Sequence, residues 1–276
     1  MMVACLVIMF AQYSVAQERV ISAGSAVTEL IYALEAQDEL VAVDVTSTLP
    51  EGTVLPKIGY HRQLSVEGLM DLKPTRIIGS DEMGPLSTLT LLQQADIKVN
   101  VINTEPTVDG LLLRIDQLAA ITHKQTQAVE VKTIVNAQVA ALKRNQPASS
   151  DKKKILFLLI HEGRPANVAG GETTPNEIIS LAGGINPAEA SINSYKPLAM
   201  ESMITMQPDV ILVSGRSWKT LGGADAVLKA LPMLLATPAG QSKSIVAIDG
   251  TALVGGLGLR SLAEAKRLNR ILYPSL

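Results

Sequence analysis

Cysteine is nearly absent from this 276-residue chain, and the single one, Cys5, stands close to its start. The surrounding run, MMVACLVIMFAQYSVA, holds no charged side chain and ends in the small residues Ser14-Val15-Ala16. It reads as a secretory signal peptide over residues 1–16, cut before Gln17, although the basic leader end usual in such peptides is missing. Its apolar part, Val3 to Ala11, is too short for an ordinary membrane span. Without residues 1–16 the chain has no thiol, which excludes disulfides, thiolate metal sites and a cysteine nucleophile.

Aromatic residues make up only 3% of the sequence, so each tyrosine and the lone Trp218 is conspicuous. Charge is also sparse and balanced, with 24 Lys+Arg against 26 Asp+Glu and a formal net charge of −2. That balance argues against an electrostatic nucleic-acid binder. The glycine-bearing stretches Ala23-Gly24-Ser25 and Ala169-Gly170-Gly171 make neither a Walker A loop nor a full dinucleotide fingerprint, and no HExxH zinc motif occurs. Ser25 and Thr173 read instead as helix caps or hydrogen-bond donors to a ligand. No spacing of histidines and carboxylates identifies a catalytic centre, so the chain is expected not to be an enzyme; an unrecognised hydrolase is the least favoured alternative.

What the chain does have is 47% hydrophobic residues, enough for a substantial core. Short apolar strands are expected at 19–22, 40–45, 76–79 and 98–102, with helical stretches between several of them, the pattern of parallel α/β construction. From Val108 to about Leu142 the apolar positions Leu111, Ile115, Leu118, Ala119, Val131, Ile134, Val135, Val139 and Leu142 fit a helix face, with a bend expected near Thr122-His123. The segment Asn145 to Ser150 stops it. A second α/β section follows, with strands at 154–160, 209–214 and 244–248 and a closing helix over 261–272.

The two sections resemble each other. LSVEGLMDLKPTRIIGS at 64–80 and LAMESMITMQPDVILVS at 198–214 match at a constant offset of 134, pairing Leu64 with Leu198, Glu67 with Glu201, Pro74 with Pro208 and Ser80 with Ser214. Each reads as a helix, a proline-marked turn and a buried parallel strand. The expected fold is therefore α/β, two similar lobes with parallel sheets joined by a long interdomain helix. The first lobe is drawn at 17–106, the connecting helix at 107–146 and the second lobe at 147–276. Two rigid bodies imply a cleft, where a bound ligand would stabilise their mutual orientation.

The passage Ile58-Gly59-Tyr60-His61-Arg62-Gln63-Leu64-Ser65-Val66-Glu67-Gly68 puts a phenol beside an imidazole and a guanidinium, just before the first-lobe helix. Phenolate oxygen is a hard anion suited to ferric haem iron, and a neighbouring cation such as Arg62 lowers the cost of forming it. By residue chemistry alone, ordinary packing or a surface hydrogen bond is the commoner role for such a tyrosine. His161 follows the 154–160 strand, where open α/β folds place binding groups.

With these passages the chain resembles the periplasmic haem-binding proteins of bacterial haem ABC importers, within the cobalamin- and siderophore-binding superfamily. The resemblance rests on GYHRQLSVEGLMDLKPTRII, VAGGETTPNEIISLAGGINPA, YKPLAMESMITMQPDVILVS and LPMLLATPAGQSKSIVAIDG and covers nearly the whole mature chain. It implies a periplasmic protein, a monomer when unbound, that captures ferric haem b as cargo without nucleic acid or catalytic cofactor. It maps Tyr60 onto the axial ligand and Arg62 onto the arginine beside it. It makes His161 a second-lobe candidate ligand to iron. Arg164 and Arg216, after second-lobe strands, become candidate partners for the propionates or for acids in solvent-facing salt bridges, and Tyr195 and Trp218 candidates to stack on the macrocycle or to pack into their own lobe. It also implies that Glu67 and Glu201 dock on a membrane permease. His61 and His123 are left outside the expected site. The segment GRSWKTLGG departs from the family's usual wording, which leaves the contacts of Arg216 and Trp218 open. A cobalamin- or ferric-siderophore-binding protein is the alternative reading.

Overall fold

The computed structural model describes residues 17–160 and 163–275; the leader expected over residues 1–16 lies outside them. Among the described residues the strands are β1 Val20–Ala23, β2 Leu40–Val43, β3 Arg76–Ser80, β4 Lys98–Ile102, β5 Ile155–Leu159, β6 Asn167–Ala169, β7 Tyr195–Pro197, β8 Val210–Ser214 and β9 Ile245–Ile248. The helices are α1 Ser25–Ala33, α2 Val66–Met70, α3 Leu86–Gln94, α4 Val108–Thr122, α5 Gln125–Arg144, α6 Thr174–Leu181, α7 Met200–Thr205, α8 Gly215–Leu221, α9 Ala224–Ala230, α10 Pro238–Gln241 and α11 Leu259–Leu272.

Two sheets result. The first has the order β2-β1-β3-β4 and is parallel throughout. The second has the order β7-β6-β5-β8-β9, in which β5, β8 and β9 are parallel while β6 and β7 run antiparallel. The parallel strands expected in the second lobe are present, and two three-residue antiparallel strands extend its sheet at one edge. They are too short to show a periodicity, and β7, exposed along its length and ending in Pro197, suits only an edge.

The central strands read as continuous apolar runs because both faces of each sheet are covered. Along β5, Ile155 and Phe157 join one core while Leu156 and Leu158 join another, and β8 divides the same way. The first sheet repeats this, with Ile78 of β3 on one side and Ile77 on the other. One apolar cluster is shared by the lobes: it runs from Leu30 and Ile115 through Val135 and Leu142 to Phe157, Ile178 and Leu262.

The connector is not one helix. At His123 the backbone turns left-handed (φ 57°), ending α4 before α5 begins. Leu111, Ile115 and Leu118 of α4 are buried, and α4 packs on α1 and β4 of the first lobe. The second half, α5, runs on to α6 and α11, burying Val131, Val135, Val139 and Leu142. Ile134, expected on that face, is exposed.

The lobes are also tied by polar groups at their shared side. Glu29 of α1 accepts hydrogen bonds from the first backbone N–H groups of α11, at Leu259 (2.6 Å) and Arg260 (3.1 Å). A carboxylate there satisfies donors that the helix leaves free. At Gly258 a Cβ would lie 2.0 Å from the Glu29 carboxylate, so a larger residue there would displace that side chain from the α11 N–H groups. Arg114 of α4, wholly buried, donates to the carbonyls of Leu257, Asn103 and Glu105.

Candidate functional site

The carboxyl ends of the first-lobe strands carry the chemistry. Asp44 directly follows β2 and is wholly buried. Its oxygens accept from Thr46 (2.7 Å), from the Ser47 hydroxyl (2.7 Å) and from the Ser47 backbone N–H (3.1 Å). The Ser47 hydroxyl continues through Thr28 (2.6 Å) to Ser22 (2.7 Å), so buried hydroxyls anchor the carboxylate to β1 and α1. The remaining partner is the His61 imidazole, whose Nδ1 lies 2.8 Å from Asp44 Oδ2.

His61 is itself fully buried, and this decides the orientation of its neighbours. With the middle residue of Tyr60-His61-Arg62 pinned inward, the flanking side chains open outward: Tyr60 is 41% exposed and the Arg62 side chain 52%. The Tyr60 ring rests on the imidazole at a centroid distance of 4.5 Å, tilted by 59°. Gly59 immediately before it has φ 84°, a left-handed conformation that favours glycine.

A residue from the next strand completes the group. Glu82, two positions beyond β3, forms an ion pair with Arg62, and its other oxygen lies 3.6 Å from His61 Nε2. Burial works against a charge on His61, but Asp44 and Glu82 outweigh it and hold its pKa above the usual value. Burial likewise pushes the Asp44 carboxyl up, yet the His61, Ser47 and Thr46 hydrogen bonds prevail and leave it lowered. The Glu82 carboxyl is held down mainly by His61, with Arg62 adding to the effect.

The second lobe faces this cluster. Tyr195 of β7 is 39% exposed, with its ring edge-on to Phe157 of β5 at 6.3 Å. Burial first, then the Glu82 carboxylate, push its phenol up, while Arg62 acts the other way. A second-lobe phenol therefore lies within electrostatic reach of the first-lobe ion pair. Between the lobes a cavity of about 660 Å³ is walled by Asp81, Asn103, Thr104 and Glu105 on one side and by Glu172, Thr173 and Glu177 on the other. A depression of about 730 Å³ at the amino ends of the second-lobe strands, lined by Lys153, Asp209 and Ser244, holds none of the expected site residues.

The structure brings Tyr60 and Arg62 together at the carboxyl edge of the first sheet. Arg164 and Arg216 are both exposed, Arg216 in the first turn of α8 after β8. Among the described residues, the second-lobe cations in ion pairs are Lys243, Arg260 and Arg267. Trp218 packs against the second-lobe core, and His123 sits at the helix break. His161 lies outside the described residues. Glu67 and Glu201 are exposed in the first turns of α2 and α7. Sequence reasoning missed Glu82 and Asp44 and set His61 aside. The signal available was position: Asp44 falls at the end of the run expected as a strand at 40–45 and Glu82 three residues past the one expected at 76–79, near the edge where α/β sheets bind ligands.

A periplasmic binding protein family model matches residues 20–252. The solved periplasmic haem-binding protein HutB of Vibrio cholerae is 61% identical, with a TM-score of 0.89 over 94% of this chain and 100% of that one. The apo form of the periplasmic haem-binding protein RhuT from Roseiflexus sp. RS-1 is 34% identical, with a TM-score of 0.87 over 94% and 99% of the two chains. A Vitamin B12-binding protein of Yersinia pestis is 30% identical over 205 residues, covering 72% of this chain and 70% of that protein.

Proposed function

The chain belongs to the periplasmic binding protein family, and on that premise we propose that it captures ferric haem b in the periplasm and delivers it to the membrane permease of an ABC importer. It acts as a monomeric carrier, and haem is its cargo. The observation that carries this reading is the half-exposed Tyr60, held at the carboxyl edge of the first sheet with Arg62 beside it. Identity favours haem over cobalamin, being 61% to a haem-binding protein and 30% to a B12-binding one.

In this reading the Tyr60 oxygen ligates ferric iron as phenolate, and Arg62 offsets the negative charge. His61 keeps the phenol facing the gap by occupying the pocket beneath it. Arg164 and Arg216 meet the propionates, for which guanidinium forks are suited. Tyr195 supplies an aromatic wall from the second lobe, and His161 is the second-lobe candidate for iron. The lobes at 17–106 and 147–276, with 107–146 between them, close on the macrocycle about a back side already fused by common core. Glu67 and Glu201, equivalent and exposed on the two lobes, dock on the permease at separate points, giving orientation more than affinity.

The test is a titration of purified protein with haem and, separately, cyanocobalamin, followed by absorption and electron paramagnetic resonance for the parent, Tyr60→Phe and His161→Ala. A ferric tyrosinate signature lost only in Tyr60→Phe is the expected result. Saturable cobalamin binding with unchanged haem spectra would overturn the reading in favour of a B12 carrier.

A further inference from the structure

The Arg62 guanidinium is already engaged, although the proposed function gives it to the ligand. Its partner Glu82 is held by the fold. Gly84 donates to the His61 carbonyl (3.0 Å) and Leu64 to the Gly84 carbonyl (2.7 Å), fastening the 82–84 turn along residues 61–64. Met83 donates to Ser80 (3.0 Å) and buries its side chain against Gly79, where a Cβ would lie 2.3 Å from the Met83 sulfur. With Met83 pointing in, Glu82 points out, between two donors. Arg62 takes one of its oxygens, and His61 Nε2, buried and without a hydrogen-bond partner, faces the other.

We propose that Glu82 is an internal competitor for Arg62 that sets how tightly this protein holds ferric haem and so makes release possible. The inference rests on the haem reading above. In the empty protein Arg62 is paired with Glu82. When haem enters, the guanidinium is drawn toward the phenolate or a propionate, and Glu82 is left with His61 alone beside it at the edge of the site. Re-forming the pair favours departure of the ligand. A carrier that must give up its cargo at the membrane gains from such a bias, whereas a storage protein would not. Glu82 touches no iron ligand in this scheme; it acts through Arg62 and is a positioning residue.

The experiment measures transfer of bound ferric haem to excess apomyoglobin from the parent, Glu82→Gln, Arg62→Ala and the double variant. Glutamine has the same shape without the charge. Glu82→Gln is expected to slow transfer roughly threefold to fivefold, the scale of a part-exposed ion pair, and to have no effect once Arg62 is alanine. A damaged fold loosens ligands, so slower release separates this role from a merely structural one. Transfer at the parent's rate or faster from Glu82→Gln overturns the proposal. So does an equal slowing in the Arg62→Ala background, which would show a general charge effect. A parent that takes up no ferric haem overturns the haem reading itself and this inference with it, a result distinct from normal uptake with indifferent Glu82 variants.

Discussion

The two copies of the helix–proline–strand unit share a backbone and diverge where the strands end. In both, a short helix buries one apolar residue, Leu69 in the first and Met203 in the second. Both then pass through a left-handed residue, Lys73 (φ 49°) or Gln207 (φ 46°), before a buried proline. Both feed an inner strand of their sheet, β3 or β8. Beyond the strand the likeness stops. The first copy turns sharply through Asp81 and Glu82 and binds its acid to Arg62 and His61. The second runs directly into α8 and presents Arg216 to solvent. One scaffold thus carries an acid–base cluster on one lobe and a solvent-facing cation on the other. Burial constrains the helix and strand, while the turns at the carboxyl edge are free to differ in chemistry.

The sharpest way to break this equivalence is through its buried anchors. Leu69→Ala and Met203→Ala should each cost about 2–5 kcal/mol, read from urea unfolding. Because one apolar cluster runs through both lobes, each variant should still unfold in a single transition. Separate transitions by tyrosine and tryptophan fluorescence would show that the copies are energetically independent.

The seam between the lobes gives the next effect. Burial pushes the Glu29 carboxyl up to about 7, against the pull of the Arg260 and Leu259 N–H groups and of the Arg260 and Arg114 charges. A carboxyl raised in the folded state binds its proton more tightly there than in the unfolded chain. The stability it contributes is therefore full below its ordinary value of 4.5 and lost as pH rises to about 7. The loss should be on the order of 3 kcal/mol. Glu29→Gln should flatten that part of the profile, and a Glu29→Gln profile parallel to the parent's from pH 4.5 to 8 would show that another group controls it.

A subtler change makes the first copy resemble the second. Gly79 occupies the position of Val213, and its missing Cβ admits Met83 and the Ala23 carbonyl (2.7 Å from where that Cβ would lie). Gly79→Val should cost about 1–3 kcal/mol through overpacking and displace the 82–84 turn, so that Glu82 no longer reaches Arg62. A crystal structure with the pair intact would contradict this. The smallest effect belongs to the exposed acids. Glu67→Ala and Glu201→Ala should alter stability by no more than about 0.5 kcal/mol and leave haem titration unchanged, yet reduce uptake in reconstituted vesicles containing the importer. Uptake at the parent's rate from the double variant would remove the docking role.

Much of the fold was legible because burial leaves a periodic trace. Each of the seven strands expected from apolar runs is present within a residue or two, and the repeat at offset 134 marks equivalent elements in the two lobes. What escaped notice had no such trace. The strands β6 and β7 are only three residues long, whereas the bend expected near Thr122-His123 is present as the break between α4 and α5. At the site, Tyr60 and Arg62 stood out as unusual residues in an aromatic-poor chain. Glu82 was one acid among 26 acidic residues, and nothing local linked it to a guanidinium twenty positions earlier.

By itself the sequence determined the α/β class, the duplicated lobes and the phenol–guanidinium pair, since hydrophobic period, proline position and rare residue types are local properties of the chain. Only the tertiary structure decided that His61 turns inward while Tyr60 and Arg62 turn outward, that Glu82 holds Arg62, and that the lobes share one core. Those outcomes depend on which distant groups fill the space around each side chain, and a buried imidazole goes where its carboxylate partner is.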